Sequence, residues 1–290
     1  MPNLKEVKTR IKSVTSTQQI TRAMKMVAAS KLRKAQDRII KMRPYAENLG
    51  IVLRNVAAGS TIEENVFGKV RQESKILLIV ITSDRGLCGA FNSAVLKRTV
   101  RIIEEKYKSQ QDRGDLSIMP IGKKALDFFR KRNYQIIEDY SHCIAELNFE
   151  KAQKAVEYVM NGFSTEDFDK VELVYNEFKN IATQIPVAEQ FLPIVPPEKE
   201  ELSIHADYIY EPSKEFIARD LFPRSLKIQL YKALLESNAG EMGARMTAME
   251  KATENAGELL DELRLTYNRT RQAAITKEIL EIVGGAEALK

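Results

Sequence analysis

The chain has 290 residues, of which 44% are hydrophobic and 29% are charged, and its formal net charge is +5. This composition is typical of a folded protein and excludes an intrinsically disordered chain. The longest aliphatic run, Ile76–Ile81, is too short to cross a bilayer. Two cysteines, Cys88 and Cys143, are too few for a disulfide framework, and we expect buried free thiols. The sequence opens without a signal or transit pattern, so we expect a protein on the cytosolic side.

The positive charge is concentrated at the start of the chain. Residues 1–43 carry twelve basic and two acidic side chains, a net charge of +10, so the remainder sums to −5. A basic helix predicts an acidic partner, which could be nucleic acid, anionic lipid or an acidic protein surface. Nucleic-acid binders usually interleave aromatic or polar base readers with the charges, yet no aromatic residue precedes Tyr45. We therefore predict that the partner is not nucleic acid.

The first segment predicts one long helix with a coiled-coil seam, because its apolar side chains recur every three or four residues. Three polar residues interrupt that seam. Pro44 is expected to kink the helix without ending it, since the periodicity resumes, and residues 59–60 form the natural stop. The seam comprises Leu4, Val7, Ile11, Val14, the polar Gln18, Thr21 and Lys25, then Ala28, Leu32, Ala35, Ile39, Met42, Ala46, Leu49, Leu53 and Val56.

The last segment carries a similar stripe and is predicted to pair with the first helix in antiparallel orientation. Because the last helix is longer, residues 275–286 should extend beyond the first helix as an apolar overhang. Such a tip needs a partner from outside the chain, and the alternative is that it folds back on its own domain. The stripe comprises Met242, Met246, Met249, Thr253, Ala256, Leu260, Leu263, Tyr267, Thr270 and Ala274.

The central part predicts a mainly parallel, doubly wound sheet, because strands and helices alternate along it. We predict strands at 75–84, 116–121, 134–140 and 170–178, and helices at 91–108, 123–132 and 149–163. Residues 169–179 and 183–194 are expected to form an extended pair at one edge. The predicted fold class is α/β, with a long antiparallel coiled coil of the N- and C-terminal helices and a central Rossmann-like domain. The predicted domains are 1–58, 59–211 and 212–290.

The sequence contains no complete motif of a catalytic or nucleotide-binding site. The turn at residues 83–89 lies where Rossmann-like folds bind phosphate, but it lacks the G-x-G-x-x-G spacing, and the chain contains no P-loop motif. Cys88 could serve as a nucleophile only beside a base, and neither His142 nor His205 belongs to a recognisable constellation. We therefore predict no catalytic residue, no cofactor and no metal. Two alternatives stay open: a nucleotide-dependent enzyme, which would bind nucleotide stoichiometrically, and a coiled-coil adaptor or nucleic-acid binder.

Three segments resemble one known family, and the likeness runs from end to end of the chain. Residues 20–31 (ITRAMKMVAASK) are similar to the N-terminal signature of the gamma subunit of F-type ATP synthase. Residues 241–249 (EMGARMTAM), 267–279 (YNRTRQAAITKEI) and 281–286 (EIVGGA) resemble the C-terminal helix of that family. Residues 83–89 resemble its first-strand turn.

The resemblance implies a non-catalytic rotor shaft. In that family the paired terminal helices stand inside a hexamer of alpha and beta subunits, and the globular domain sits with the epsilon subunit on the membrane ring of c subunits. Ion flow turns the ring and the shaft, which drives ATP synthesis or hydrolysis at the beta subunits. The missing transit peptide implies a bacterial enzyme on the cytoplasmic side of the plasma (inner) membrane. Because Cys88 and Cys143 do not match the regulatory cysteine pair of chloroplast relatives, thiol control is not expected.

The resemblance also assigns roles to individual residues. It implies that the apolar tip is a bearing, formed by Ile275, Ile279, Ile282 and Val283. Rotor–stator contacts are implied for Met24, Lys25 and Arg245, which would face an acidic lever of the beta subunits, and for Arg271, Gln272 and Thr276, which would touch beta-subunit loops. Lys25 stands where several relatives carry an acid. The foot on the c ring and epsilon subunit is implied for Tyr208, Tyr210 and Glu211.

Overall fold

The computed structural model describes residues 3–57, 66–144, 147–194, 211 and 214–287. Long helices begin and end this part of the chain, and an α/β segment lies between them in sequence. The helices are α1 (Leu4–Ala57), α2 (Phe91–Lys106), α3 (Lys108–Arg113), α4 (Lys123–Arg130), α5 (Phe149–Ser164) and α6 (Lys214–Glu287), and the strands are β1 (Ile76–Ile81), β2 (Leu116–Ile121), β3 (Gln135–Ile136), β4 (Lys170–Phe178) and β5 (Gln184–Leu192).

The chain divides into two compact units. The helical unit comprises Met1–Ala29 and Arg245–Lys290, and the α/β unit comprises Ser30–Ala244. Helices α1 and α6 each contribute one part to either unit. Both helices continue through an internal proline, Pro44 in α1 and Pro223 in α6. The prediction that α1 continues beyond Pro44 is therefore confirmed.

In the helical unit, α1 and α6 run antiparallel, as predicted. Gln18 contacts Thr253, whereas Lys25, further along α1, contacts Glu250, which lies earlier in α6. The burial of α1 follows the predicted spacing, because its buried and half-buried positions recur every three or four residues from Leu4 to Ala28. This period matches the seam of a coiled coil.

In the α/β unit, the five strands form one sheet in the order β3-β2-β1-β4-β5. Strands β1, β2, β3 and β4 are parallel, and β4 and β5 form an antiparallel pair at one edge. All six residues of β1 and all six of β2 are buried. Such continuous aliphatic burial is typical of central parallel strands covered on both faces. The predicted fold class is confirmed.

Helices cover both faces of this sheet. On one face, alternate β1 residues such as Leu77 and Ile79 pack in a buried cluster with residues of α5 and α6. On the other face, Ile76, Leu78 and Val80 pack with residues of α2 and α4. Because successive side chains of a strand point to opposite sides, one aliphatic run supplies both cores.

Two predicted elements differ from the structure by more than a shift of up to three residues at their ends. The strand predicted at 134–140 is limited to β3, since the chain turns after Ile137 with bonds from the Ser141 amide to the Glu138 carbonyl and from the Cys143 amide to the Tyr140 carbonyl. The helix predicted at 91–108 is interrupted at Tyr107, which separates α2 from α3. The Tyr107 side chain is buried and its hydroxyl donates to Glu172 of β4 at 2.6 Å, so a tertiary contact overrides the local helical preference.

Candidate functional site

The polar residues that interrupt the seam are paired across the helical unit. The Thr21 and Thr253 hydroxyl oxygens lie 2.8 Å apart, and Gln18 Nε2 donates to the Thr253 carbonyl at 3.4 Å. Lys25 Nζ donates to Glu250 Oε1 at 2.5 Å. Each polar seam position on α1 therefore has a matching partner on α6, which satisfies groups that an apolar seam would leave unpaired.

The Lys25–Glu250 ion pair changes the expectation for Lys25. Both side chains are partly exposed, so the pair contributes at most about 1 kcal/mol to stability. It nevertheless balances the lysine charge within the helical unit. Met24 and Arg245, the other two residues expected to face an acidic lever, are half-buried.

The outer side of α1 carries apolar side chains that were not predicted to be exposed. Ile20 is 59% exposed and Val27 is 57% exposed. With Met24 between them, they follow i, i+4, i+7 spacing and share one side of the helix. The signal was present in the sequence, since these residues fall outside the seam that a surface helix would use for burial. Ile20 and Val27 therefore add exposed apolar surface on either side of the half-buried Met24.

The apolar tip of α6 is exposed and helical. Helix α6 continues to Glu287, and Ile275, Ile279, Ile282 and Val283 are each about half or more exposed. Ala274, predicted to belong to the seam, is exposed, which corrects that prediction. The physical reason is that α1 begins at Leu4, so it offers no facing residues this far along α6.

The three polar residues expected beside the tip are also exposed. Arg271 and Gln272 precede the tip, and Thr276 lies within its first turn. Thr276 Oγ1 donates to the Gln272 carbonyl at 2.9 Å within the helix. Helix α6 therefore presents these three polar groups and the apolar tip on consecutive turns. Of the three residues expected to form the foot, Glu211 is exposed, and Tyr208 and Tyr210 lie outside the described residues.

The carboxyl edge of the sheet, where Rossmann-like folds bind phosphate, is occupied by the chain itself. The Lys123 amide at the start of α4 donates to Asp84 Oδ1 at 2.9 Å, and the Ala125 amide donates to Thr82 Oγ1 at 2.9 Å. The Ser83 amide donates to Asn92 Oδ1 at 2.9 Å. Side chains of the chain itself therefore already accept from these three backbone amides.

Helix α6 also comes close to the first residue of α2, which follows β1, and to the hairpin that joins β4 and β5. A methyl group at Gly240 would lie 3.1 Å from the Phe91 ring and 3.2 Å from Gln184 Cγ. At Gly243 it would lie 3.2 Å from the Ile181 carbonyl oxygen. The missing side chains let the α6 backbone approach the first residue of α2 and the β4–β5 hairpin.

The thiols are packed rather than poised for catalysis. Cys88 and Cys143 are both free and buried, as predicted. Asn92 Nδ2 donates to Cys88 Sγ at 3.3 Å. Burial raises the pKa of the Cys143 thiol, which disfavours the nucleophilic thiolate. In the described part of the chain, no group of His, Cys, Asp and Glu side chains is arranged to hold a metal ion.

Glu236 of α6 is a buried carboxylic acid in the α/β unit. It is 4% exposed, and among the described residues its Oε2 atom has no hydrogen-bond partner. Burial raises the pKa of this carboxyl, and the nearby Glu177 and Glu189 raise it further, while Lys232 and Arg43 oppose the shift. The folded state therefore binds the proton more tightly than the unfolded state does. The contribution of Glu236 to the stability of the folded state is therefore present at low pH and is lost as pH rises through the raised pKa of this carboxyl.

We expect Glu236→Gln to stabilise the protein by about 1 kcal/mol at pH 8, because the substitution removes a buried charge that is incompletely paired. The gain should vanish near pH 4, where the wild-type carboxyl is protonated. Thermal unfolding followed by circular dichroism from pH 4 to pH 8 measures both limits.

Glu157→Gln is the matched control for this prediction. A hydrogen bond from Lys227 lowers the pKa of Glu157, so its contribution to stability is present at neutral pH and is lost as pH falls. Glu157→Gln should therefore never stabilise the protein. If Glu236→Gln lowered the melting temperature at pH 8, the assignment of Glu236 as a destabilising buried charge would be wrong.

Comparison with known proteins identifies the family. A family model described as ATP synthase matches residues 3–289. The chain is 55% identical to the ATP synthase gamma chain of Cytophaga hutchinsonii over 293 residues, covering 100% of this chain and 99% of that one.

Chains in solved structures of ATP synthases have a similar fold. A chain of the Tetrahymena thermophila mitochondrial ATP synthase central stalk and c ring matches with a TM-score of 0.59 and 26% identity, covering 80% of this chain and 99% of that one. A chain of the Euglena gracilis mitochondrial ATP synthase matches in fold with a TM-score of 0.64 and 22% identity, covering 99% of this chain and 94% of that one. With a family model and a relative of more than half identity both spanning its length, the chain belongs to the ATP synthase gamma-chain family.

Proposed function

We infer that this chain is the central rotor shaft of an F-type ATP synthase and couples rotation of a c ring to ATP synthesis or hydrolysis at the beta subunits. The observation that carries this function is the match to ATP synthase gamma chains over essentially the full chain. The chain is a non-catalytic subunit, and the reaction occurs on its partners. Those partners are the alpha and beta subunits, the epsilon subunit and the c-subunit ring.

The apolar tip formed by Ile275, Ile279, Ile282 and Val283 acts as the bearing. Its exposed hydrophobic side chains favour an apolar sleeve as the surrounding surface. Apolar contacts are non-directional, so such a tip can turn without breaking fixed ion pairs. Two of the charged residues on the same turns pair with each other within the helix, since Lys277 Nζ lies 3.5 Å from Glu281 Oε1.

Two sets of residues contact the stator. Arg271, Gln272 and Thr276 are exposed just before and at the start of the tip, where they can reach loops of the beta subunits. Met24, Lys25 and Arg245 face the acidic lever of those subunits. The exposed Ile20 and Val27 add an apolar component to this second contact. Because Lys25 is paired with Glu250, this contact depends more on apolar packing than on the lysine charge.

The remaining assignments concern the base of the shaft. Tyr208, Tyr210 and Glu211 form the foot on the c ring and epsilon subunit, at the end of the 59–211 domain and just before the 212–290 domain. In the part of the chain that the structure describes, no helix has the length and apolarity needed to span a bilayer. The protein is peripheral to the membrane through its complex. We place it on the cytoplasmic side of a bacterial plasma (inner) membrane.

Co-expression with alpha and beta subunits tests this function. The full chain should co-purify with the hexamer. Ile279→Asp/Val283→Asp should weaken its retention about tenfold, because carrying charge into an apolar sleeve costs at least about 1.4 kcal/mol. Lys277→Asp is the matched control, since it adds negative charge to the same turns without altering the apolar side chains. Failure of the unmodified chain to co-purify would count against the function, and equal retention of all variants would count against the bearing.

A further inference from the structure

The stretch of α6 that approaches the start of α2 and the β4–β5 hairpin is almost completely buried. Residues 233–243 are all buried except Asn238, which is half-buried. Two of them, Gly240 and Gly243, make the backbone approach described above. Gly240 lies against Phe91 and Gln184, and Gly243 lies against the Ile181 backbone. We call these five residues the glycine seat.

Hydrogen bonds hold the backbone of Phe91 and Ile181, the residues that face the two glycines. Asn176 Nδ2, buried in β4, donates to the Phe91 carbonyl at 2.9 Å. Gln184 Nε2 donates to the Ile181 carbonyl at 2.9 Å. Gly240 therefore faces the first residue of α2, whose carbonyl is bonded to β4. Gly243 faces the β4–β5 hairpin, which has an internal hydrogen bond from Gln184 to Ile181.

We propose that the glycine seat bears torque: it makes the α/β domain turn with helix α6. This proposal rests on the function as a rotor shaft. Side chains form ridges and grooves on a helix, and a neighbour that fits into a groove resists rotation of the helix. The two glycines deepen such a groove, because they let Phe91 and the hairpin approach the helix backbone.

The covalent links between the domain and the two long helices lie elsewhere in sequence, after Ala57 in α1 and before Lys214 in α6. Gly240 is 26 residues into α6 from Lys214 (240 − 214), and it lies beyond the α6 residues, such as Leu226 and Leu234, that pack in the core of the domain. A close fit at the far end of this packed stretch adds to the resistance to twist. Slippage at the seat would let the helices turn without carrying the domain fully with them.

The test uses the complete ATP synthase, assembled with this chain and reconstituted in vesicles. Both ATP hydrolysis and ATP-driven proton pumping are measured per assembled complex. Gly240→Leu drives a side chain into Phe91 and Gln184 and lifts the helix from its seat. Phe91→Ala removes the facing ring without any clash, so it decides the question if the leucine variant fails to assemble. Gly86→Ala is the matched control, because a methyl group there meets no atom within 4 Å.

We expect the ratio of pumping to hydrolysis to fall at least threefold in Phe91→Ala and Gly240→Leu and to stay unchanged in Gly86→Ala. A purely structural role would lower both activities together and leave the ratio unchanged. An unchanged ratio in Phe91→Ala overturns the proposal. If the unmodified chain itself supports no pumping, the rotor function fails rather than the seat, so the two failures are distinguishable.

Discussion

Replacing Gly122 by valine is expected to prevent the α/β unit from folding. Gly122 precedes α4 with a φ of 105°, a conformation that a β-branched residue strongly disfavours. A Cβ atom there would lie 2.1 Å from the Thr82 carbonyl oxygen, which is fixed backbone at the end of β1. Strain and overlap together should cost at least about 4 kcal/mol. Circular dichroism of the purified chain should show lost or strongly shifted cooperative unfolding.

The control for Gly122→Val is Gly86→Ala, at a glycine near the same edge of the sheet that has open space around it. This variant should melt close to wild type, since glycine to alanine at an unstrained position costs little or is mildly stabilising. A Gly122→Val protein that melted within about 2 °C of wild type would contradict the geometry of the β1–α4 junction, because even ~1 kcal/mol corresponds to a shift of that size.

Replacing Leu260 by aspartate is expected to open the helical unit. Leu260 is 4% exposed in the seam of α6, where a carboxylate would have no partner of opposite charge among the apolar seam residues. The lost packing and the buried charge should cost at least about 3 kcal/mol. Hydrogen exchange of the α1 amides from residue 4 to residue 21 should accelerate about a hundredfold, the equivalent of that free energy.

Leu265→Asp makes the same chemical change off the seam. Leu265 is 60% exposed, so its replacement should alter stability by no more than about 0.5 kcal/mol and leave the exchange rates near wild type. Equal acceleration in the two variants would mean that burial at the seam does not hold these helices together. The comparison therefore isolates the pairing of α1 with α6 from a general effect of added negative charge.

Much of the fold was predictable because its signals are local and periodic. The spacing of the α1 seam predicted a long helix. The six consecutive aliphatic residues of β1 predicted a strand, and the structure buries all six of them. The break at Tyr107 could not be predicted, since it depends on Glu172 in a distant strand. Likewise, the sequence places Gly240 and Gly243 within a helix but does not indicate their close contacts with Phe91 and Ile181, which only the tertiary structure shows.

Some features of the candidate site could likewise be predicted from the sequence, and others could not. The apolar tip was predictable because its residues continue beyond the reach of the first helix. The pairing of Lys25 with Glu250 was not, since heptad spacing identifies a polar seam position but not the residue opposite it. The raised pKa of Glu236 was equally hidden, because burial and the approach of Glu177 and Glu189 arise only from tertiary structure.

Direct observation of rotation tests the central claim. A bead is attached through Ser109→Cys, an exposed position in α3, in a Cys88→Ser/Cys143→Ser background, and the alpha and beta subunits are fixed to a surface. On addition of ATP, the bead should turn continuously in one direction, at a rate that follows hydrolysis. A bead that stays at one angle while the complex hydrolyses ATP would contradict the account that this chain is a rotating shaft.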